Sequence, residues 1–291
     1  MSAYRFCRTD DIGLLVHALN RCWAPHFPEE PPTTAASFKR SIRDLQVWCS
    51  SCMVAFSGSD PIGVLVGAKR PSSTLVYKIA VHPDHRRQGH GRHLLASLGS
   101  KLAILGPPRI VAEVPETLVP ARELFGASGY VEEARLTDYV LDRGANDVGE
   151  TVAMFVIPVT IDDLIANGLL GDPPSLSASA GQSCWERSVE TLTARKDDIA
   201  GLAVASDERI EAYVLYVTRG ADATEILSLR SFVEDGGARL KQLLSRLGAG
   251  GMKSFRFAKV HPAEISREWI QALGLSPVGL HRLYGTRARS A

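Results

Sequence analysis

The run Ile79-Ala80-Val81-His82-Pro83-Asp84-His85-Arg86-Arg87-Gln88-Gly89-His90-Gly91-Arg92-His93-Leu94-Leu95 passes from an apolar stretch, through a basic loop broken by glycines, into a new apolar periodicity. Leu75, Val76, Ile79 and Val81 precede the loop, and Leu94, Leu95, Leu98 and Leu102 recur at helical spacing after it. That order predicts strand, loop and helix. Gly89 and Gly91 carry no Cβ to hold a ligand off the backbone, so amides at the positive end of the helix can face an anion. Arg86 and Arg87 add countercharge. A solvated basic turn is the plainer interpretation, but it leaves two glycines beside three arginines at a strand-to-helix switch without a reason.

Other phosphate motifs fit less well. A dinucleotide fingerprint needs a third glycine where Leu94 stands, and a Walker loop needs Gly-Lys-Ser/Thr. His82, His85, His90 and His93 lack accompanying carboxylates or cysteines, and so basic a loop repels a cation. No metal site is expected.

At these residues the chain resembles the GNAT superfamily of N-acetyltransferases, whose fingerprint is Arg or Gln, two free positions, Gly, a free position, then Gly or Ala. Arg86-x-x-Gly89-x-Gly91 fits it, with Val81-x-Pro83 upstream. The resemblance implies that acetyl-CoA is the co-substrate. Its pyrophosphate would lie on Arg86, Arg87, Gln88, Gly89, His90, Gly91 and Arg92, and its pantetheine arm along Ile79, Ala80 and Val81. The segment Arg122 to Tyr130 is similar to the family's late helix ending in Gly-Phe or Gly-Tyr.

The chain has 291 residues, 45% of them hydrophobic and 22% charged, enough for two ordinary domains. A net charge of +1 supplies no broad field for nucleic acid or membrane. Met1 to Arg5 begins no charged, apolar leader, and no apolar run reaches a membrane-spanning length, so a cytoplasmic enzyme is the expectation. A homodimer is left open. Five cysteines do not suggest a disulfide framework. Cys49 and Cys52 fall in Val47 to Phe56, which reads as a strand, so they are expected to face opposite sides as packing residues.

The first half reads as follows: a strand over Tyr4 to Cys7, a helix from Asp10 or Asp11 to Cys22, a Pro-rich loop, and a helix from Ser37 to Leu45. Strands at Trp48 to Phe56 and Ile62 to Gly67 come next, then the phosphate-loop unit. Arg109 to Val114 reads as a strand, Ala121 to Ala127 as a helix and Tyr130 to Leu141 as a closing strand region.

The second half repeats the first. At a shift of 145, Leu95, Leu98, Ser100, Leu102 and Gly106 meet Leu240, Leu243, Ser245, Leu247 and Gly251, and Arg122, Glu123, Ala127, Gly129 and Tyr139 meet Arg267, Glu268, Ala272, Gly274 and Tyr284. Upstream the shift is 148, with Ile62 meeting Ile210, which places the loss of three residues in the phosphate loop. There Ser231 to Gly237 lacks the arginine and the first glycine and has gained Glu234 and Asp235, which repel a pyrophosphate. The expected organisation is α/β (α+β): a GNAT-like domain over 1–145 with an intact loop, and a degenerate copy over 146–291. Each would be a mixed, mostly antiparallel twisted sheet flanked by helices. Gly144 to Glu150 reads as the connector and Gly171 to Gly181 as a long loop.

Acetyl transfer to an amine needs a base for the ammonium and an acid for the leaving thiolate. The resemblance places the usual acid, a Tyr, at Phe125, and a frequent Glu at Leu75; neither residue here can handle a proton. Tyr77, two along on the same strand face, is the preferred proton-handling residue, with packing in the core as its alternative, and Glu113 is the second catalytic candidate. Glu116 follows. Trp23, His26, Phe27, Glu29 and Glu30 lie on the Pro-rich loop, which in the family borders the acceptor pocket; its carboxylates would attract a small-molecule or peptide amine. Loss of the usual acid and base keeps a non-catalytic acyl-CoA sensor open, as unknown pocket depth does for transfer of a longer acyl group.

Overall fold

The structure, a computed structural model, describes residues 2–142, 155–171, 184–220 and 222–288. The connector Gly144 to Glu150 and nearly all of the loop Gly171 to Gly181 lie outside them. The chain divides into two compact units. Unit 1 comprises residues 1–133 and 282–291, and unit 2 comprises 134–281.

Unit 1 opens with strand β1 (Ser2–Phe6) and helix α1 (Ile12–Cys22), then α2 (Ala35–Leu45). Thr34 and Ser37 close a reciprocal capping box at the start of α2, which contributes about 1 kcal/mol. Strands β2 (Met53–Ser57), β3 (Asp60–Lys69) and β4 (Ser73–Val81) form an antiparallel meander beside β1. Helix α3 (His90–Leu105) crosses over to β5 (Arg109–Pro115), which pairs in parallel with β4, and α4 (Val119–Ala127) follows. The apolar face of α3 is the centre of the core. Leu94 and Leu98 are wholly buried with Ile62, Leu65 and Ile110, and truncating either leucine to Ala costs about 2–5 kcal/mol.

Val47 to Phe56 is not one strand, as its β-forming residues suggest. Gln46 takes the left-handed conformation (φ 56°), and Cys49–Ser51 form a 3-10 turn before β2 begins at Met53. Both cysteines are nonetheless buried free thiols. Burial pushes the thiols of Cys49 and Cys52 up, as it does that of Cys7, to about 12, so these are packing groups without thiolate character.

Unit 2 contains β7 (Phe155–Pro158), α5 (Ile161–Ala166), α6 (Val189–Ala194), β8 (Ala200–Ala205), β9 (Ile210–Arg219) and β10 (Ala223–Ser231). Helix α7 (Ala238–Ala249), β11 (Ser254–Val260) and α8 (Arg267–Leu273) complete the series. Strands β7 to β10 are successively antiparallel, and β10 pairs in parallel with β11. Each unit is therefore a mixed, mostly antiparallel sheet with helices, as expected. The repeat is visible in the elements: β5 and β11 are 145 residues apart at both ends.

Two further strands, β6 (Val131–Asp142) and β12 (Ser276–Arg287), show the same spacing of 145. They also make the division of the chain differ from a single cut at 145/146. Residues 134–142 of β6 belong to unit 2, where Thr137 to Asp142 pair antiparallel with β11. Residues from 282 onward belong to unit 1, where Tyr284 is buried against Phe125 and Arg282 pairs with Glu116 and Glu132. Two equivalent strands of equal length can satisfy either sheet, so local sequence does not settle which sheet each completes.

Candidate active site

The site in unit 1 begins with a ladder that stops. β4 and β5 pair only over Ser73–Leu75 and Arg109–Val111. Beyond that point Val76 to Val81 and Glu113 to Pro115 line a cavity of about 690 Å³. A bulge starts the divergence: Lys78 pairs with Val66 and Val76 with Gly67, leaving Tyr77 as the extra residue in β4. Past the bulge β4 and β5 no longer pair with one another, which leaves the cavity between them.

The basic loop closes one end of the cavity. A 3-10 turn, Pro83–His85, leads to Arg87 in the left-handed region (φ 63°) and Gly89 at φ 86°, which caps α3. A Cβ on Gly89 would meet nothing within 4 Å, so glycine is required there by conformation and leaves the first-turn amides approachable. Gly91 has a different reason. Its Cβ would come within 3.0 Å of Leu124, so its lack of a side chain also serves close packing of α3 on α4, while the residue itself lines the cavity. Arg86, Arg87, Gln88 and Arg92 are exposed, and Arg87 reaches Glu123 only at 3.7 Å. Mobile positive charge is therefore in place at a helix N-terminus.

His90 and His93 pack against Tyr4. Tyr4 Oη lies 2.6 Å from His90 Nδ1 and the Tyr4 ring packs 3.8 Å from that of His93. His90 is buried, and burial, with His85 and His93 nearby, pushes its pKa below the ordinary histidine value. Among the described residues no group of three or more His, Cys, Asp or Glu could hold a metal ion.

Tyr77 and Glu113 are half-buried in the cavity wall, on β4 and β5 respectively. Leu75 is buried in the β4 core, and Phe125 packs on Tyr130 and Tyr284 (ring centroids 5.0 and 5.9 Å). Glu116 ion-pairs with Arg282 at 2.6 Å, which withdraws it from the candidates. From the Pro-rich loop, Trp23, His26 and Phe27 line the cavity. His26 Nε2–H donates to the Val81 carbonyl at 2.9 Å, which leaves Nδ1 as the lone-pair nitrogen of the neutral ring. Trp23 and Phe27 stack (4.3 Å, 22°). Glu29 is exposed on the same loop, and Glu30 turns onto Trp23 and Lys78. Lys78 was not picked out from the sequence. Its position on the motif strand beside Tyr77 was the available signal, and its ammonium lies 4.3 Å over the Trp23 ring.

Unit 2 keeps the frame and fills the space. Gly237 caps α7 at φ 85°, matching Gly89, so the cap glycine survives in the copy; α7 has 12 residues against 16 in α3, which moves the lost residues into the helix's first turn. Asp235 accepts from the N–H groups of Gly237 and Arg239, both at 2.9 Å, and from the Arg239 guanidinium at 2.9 Å. Burial alone would raise the Asp235 carboxyl, but Arg239 and the backbone donors hold it below the usual carboxylate range. The chain's own anion thus takes the helix start. Between β10 and β11, Arg187 is buried 4.6 Å over Phe257 and pairs with Glu264 at 2.6 Å, beside a cavity of only about 30 Å³.

Residues 14–130 match the model of the acetyltransferase (GNAT) family. No curated protein sequence matches the chain. Among solved structures, a tandem GNAT protein from the clavulanic acid biosynthesis pathway is similar over 100% of both chains, with a TM-score of 0.64 at 17% identity. A GCN5-related N-acetyltransferase from Sphaerobacter thermophilus is similar over 99% of this chain and 96% of its own (TM-score 0.61, 13% identity). Another, from Anabaena variabilis, is similar over 99% and 73% (TM-score 0.64, 12% identity). Residues 14–130 thus match the acetyltransferase (GNAT) family, and over its whole length the chain shares the fold of these structures, a tandem GNAT protein among them.

Proposed function

We propose that unit 1 binds acetyl-CoA and transfers its acetyl group directly to a primary amine, and that unit 2 binds none. The opening between β4 and β5, closed by a helix start at Gly89, carries the proposal: it offers strand backbone to an extended arm and helix amides with arginines to its phosphates. The residues fit the group, since nothing stands where a Cβ of Gly89 would project and Arg86 is exposed. When bound, acetyl-CoA supplies a thioester whose carbonyl carbon bonds to the amine nitrogen as its C–S bond breaks.

Glu113 takes the proton that the acceptor ammonium must lose, and the Tyr77 hydroxyl supplies one to the departing sulfur. Arg86, Arg87 and Arg92 hold the phosphates, while Trp23 and Phe27 wall the acceptor end. In unit 2 the Asp235 carboxylate and the Arg187–Glu264 pair occupy the corresponding places.

A second reading, a non-catalytic acyl-CoA sensor, is favoured by one observation: Phe125 and Leu75 are apolar core residues where relatives of the resembled family carry proton-handling groups. Screening primary amines with acetyl-CoA and thiol detection separates the two. Turnover on any amine supports the transferase; one CoA bound per chain with no turnover supports the sensor. Longer acyl-CoA donors in the same screen set the acyl length.

A further inference from the structure

Two donors in the cavity wall converge on one carboxylate oxygen. Lys78 Nζ, on β4, lies 3.1 Å from Glu30 Oε2, and Trp23 Nε1–H donates to the same oxygen at 3.0 Å. Both donor residues line the cavity, whereas Glu30 does not and meets them from an exposed loop with 46% of its side chain exposed. The Lys78 side chain is only 19% exposed and its ammonium rests on the Trp23 ring, so the pair is held in place independently of Glu30. The arrangement holds two cavity-wall donors on a carboxylate supplied by the chain's own loop.

We propose that the acceptor is an amine that also carries a carboxylate, an amino acid or a compound like one, and that its carboxylate takes the place of Glu30 on Lys78 and Trp23. This rests on the acetyl-CoA site proposed for the same cavity. Exchange of one carboxylate for another keeps both donors satisfied, so releasing Glu30, whose side chain is nearly half exposed, leaves neither donor unpaired. Glu113, across the cavity on β5, gives the ammonium end of the acceptor an opposite charge. An acceptor offering only an ammonium is less well served. At the Trp23 ring it meets the like charge of Lys78, and Phe27 already stacks on that ring.

The test compares amines that differ only by the carboxylate: tyrosine with tyramine, histidine with histamine, ornithine with putrescine. With acetyl-CoA and thiol detection, KM for a carboxylate-bearing member is expected at least tenfold below that of its partner. Lys78→Met should raise that KM about tenfold and leave the partner's unchanged, while Glu30→Gln should lower it by removing the competing carboxylate. Preference for the decarboxylated members, or a Lys78→Met effect equal on both, overturns the proposal. A binding arm covers the case of no turnover. N-acetyltyrosine should bind the CoA-saturated protein more tightly than N-acetyltyramine, and equal affinities, or binding of neither, overturn the proposal. If CoA itself fails to bind, the cofactor assignment falls, and the same pair titrated into CoA-free protein decides the carboxylate receptor by itself.

Discussion

Replacing Arg86 and Arg87 together with Ala isolates the phosphate contacts from everything else in unit 1. Both side chains are exposed, and among the described residues the ion pair found for either is the 3.7 Å contact of Arg87 with Glu123, so the change should alter stability by no more than about 0.5 kcal/mol. Each guanidinium lost removes a charge-assisted hydrogen bond to phosphate of roughly 1.5 kcal/mol, together about 3 kcal/mol, or on the order of a hundredfold in CoA affinity. Calorimetric titration with CoA and with a pantetheine derivative lacking the nucleotide reads this directly. CoA affinity should fall about a hundredfold while pantetheine affinity stays level. Gly89→Val is the backbone counterpart: its Cβ meets no neighbour, but φ 86° is costly for a β-branched residue, so the loop must move and the amides with it. Unchanged CoA affinity in the double arginine variant, or an equal loss for pantetheine, would falsify the assignment of the loop to phosphate.

Tyr77→Phe keeps the ring in the cavity wall and removes only the hydroxyl. The turnover number is expected to fall by about two to four powers of ten with CoA affinity unchanged, and full turnover across pH would make Tyr77 a packing residue. Asp235→Ala removes two bonds to helix amides and the pair with Arg239, so unit 2 should lose about 1–3 kcal/mol in chemical denaturation, yet calorimetry should still find one CoA per chain; a second site appearing in wild type would contradict the closed copy. His90 is neutral in the fold because burial lowers its pKa, whereas an unfolded histidine gains a proton near pH 6.5. Its contribution is thus complete above about pH 6.5 and is lost as pH falls toward the lowered folded value. His90→Gln should therefore lose less stability than wild type between pH 7.5 and 5.5, and equal losses would exclude His90 as the source.

The elements were legible where their causes are local. The helix at α3 follows from leucines at helical spacing after a capping glycine, and β5 follows from Arg109 to Val114, one residue short of its observed end. The duplication was legible because ten pairs of identical residues keep one spacing of 145 across a helix, a strand and a second helix. The strand misread at Cys49 and Cys52 has a local cause too: flanking β-formers hide the tight 3-10 turn at Cys49–Ser51. Gly91 could not be separated from Gly89 by type, since freedom at φ 86° and contact with Leu124 are distinguished only when α4 is in place.

By itself, the sequence determined that the chain is a tandem repeat of one α/β unit and that the first copy carries the glycine-broken basic loop, because hydrophobic periodicity, glycine conformation and charge are properties of neighbouring residues. Tertiary structure decided the rest. Which sheet β6 and β12 complete, how Asp235 and Arg187 fill the second copy, and how Lys78 and Trp23 meet on one carboxylate all depend on groups far apart in the chain. Their energies arise only once packing has brought them within a few ångströms, a distance that no local pattern encodes.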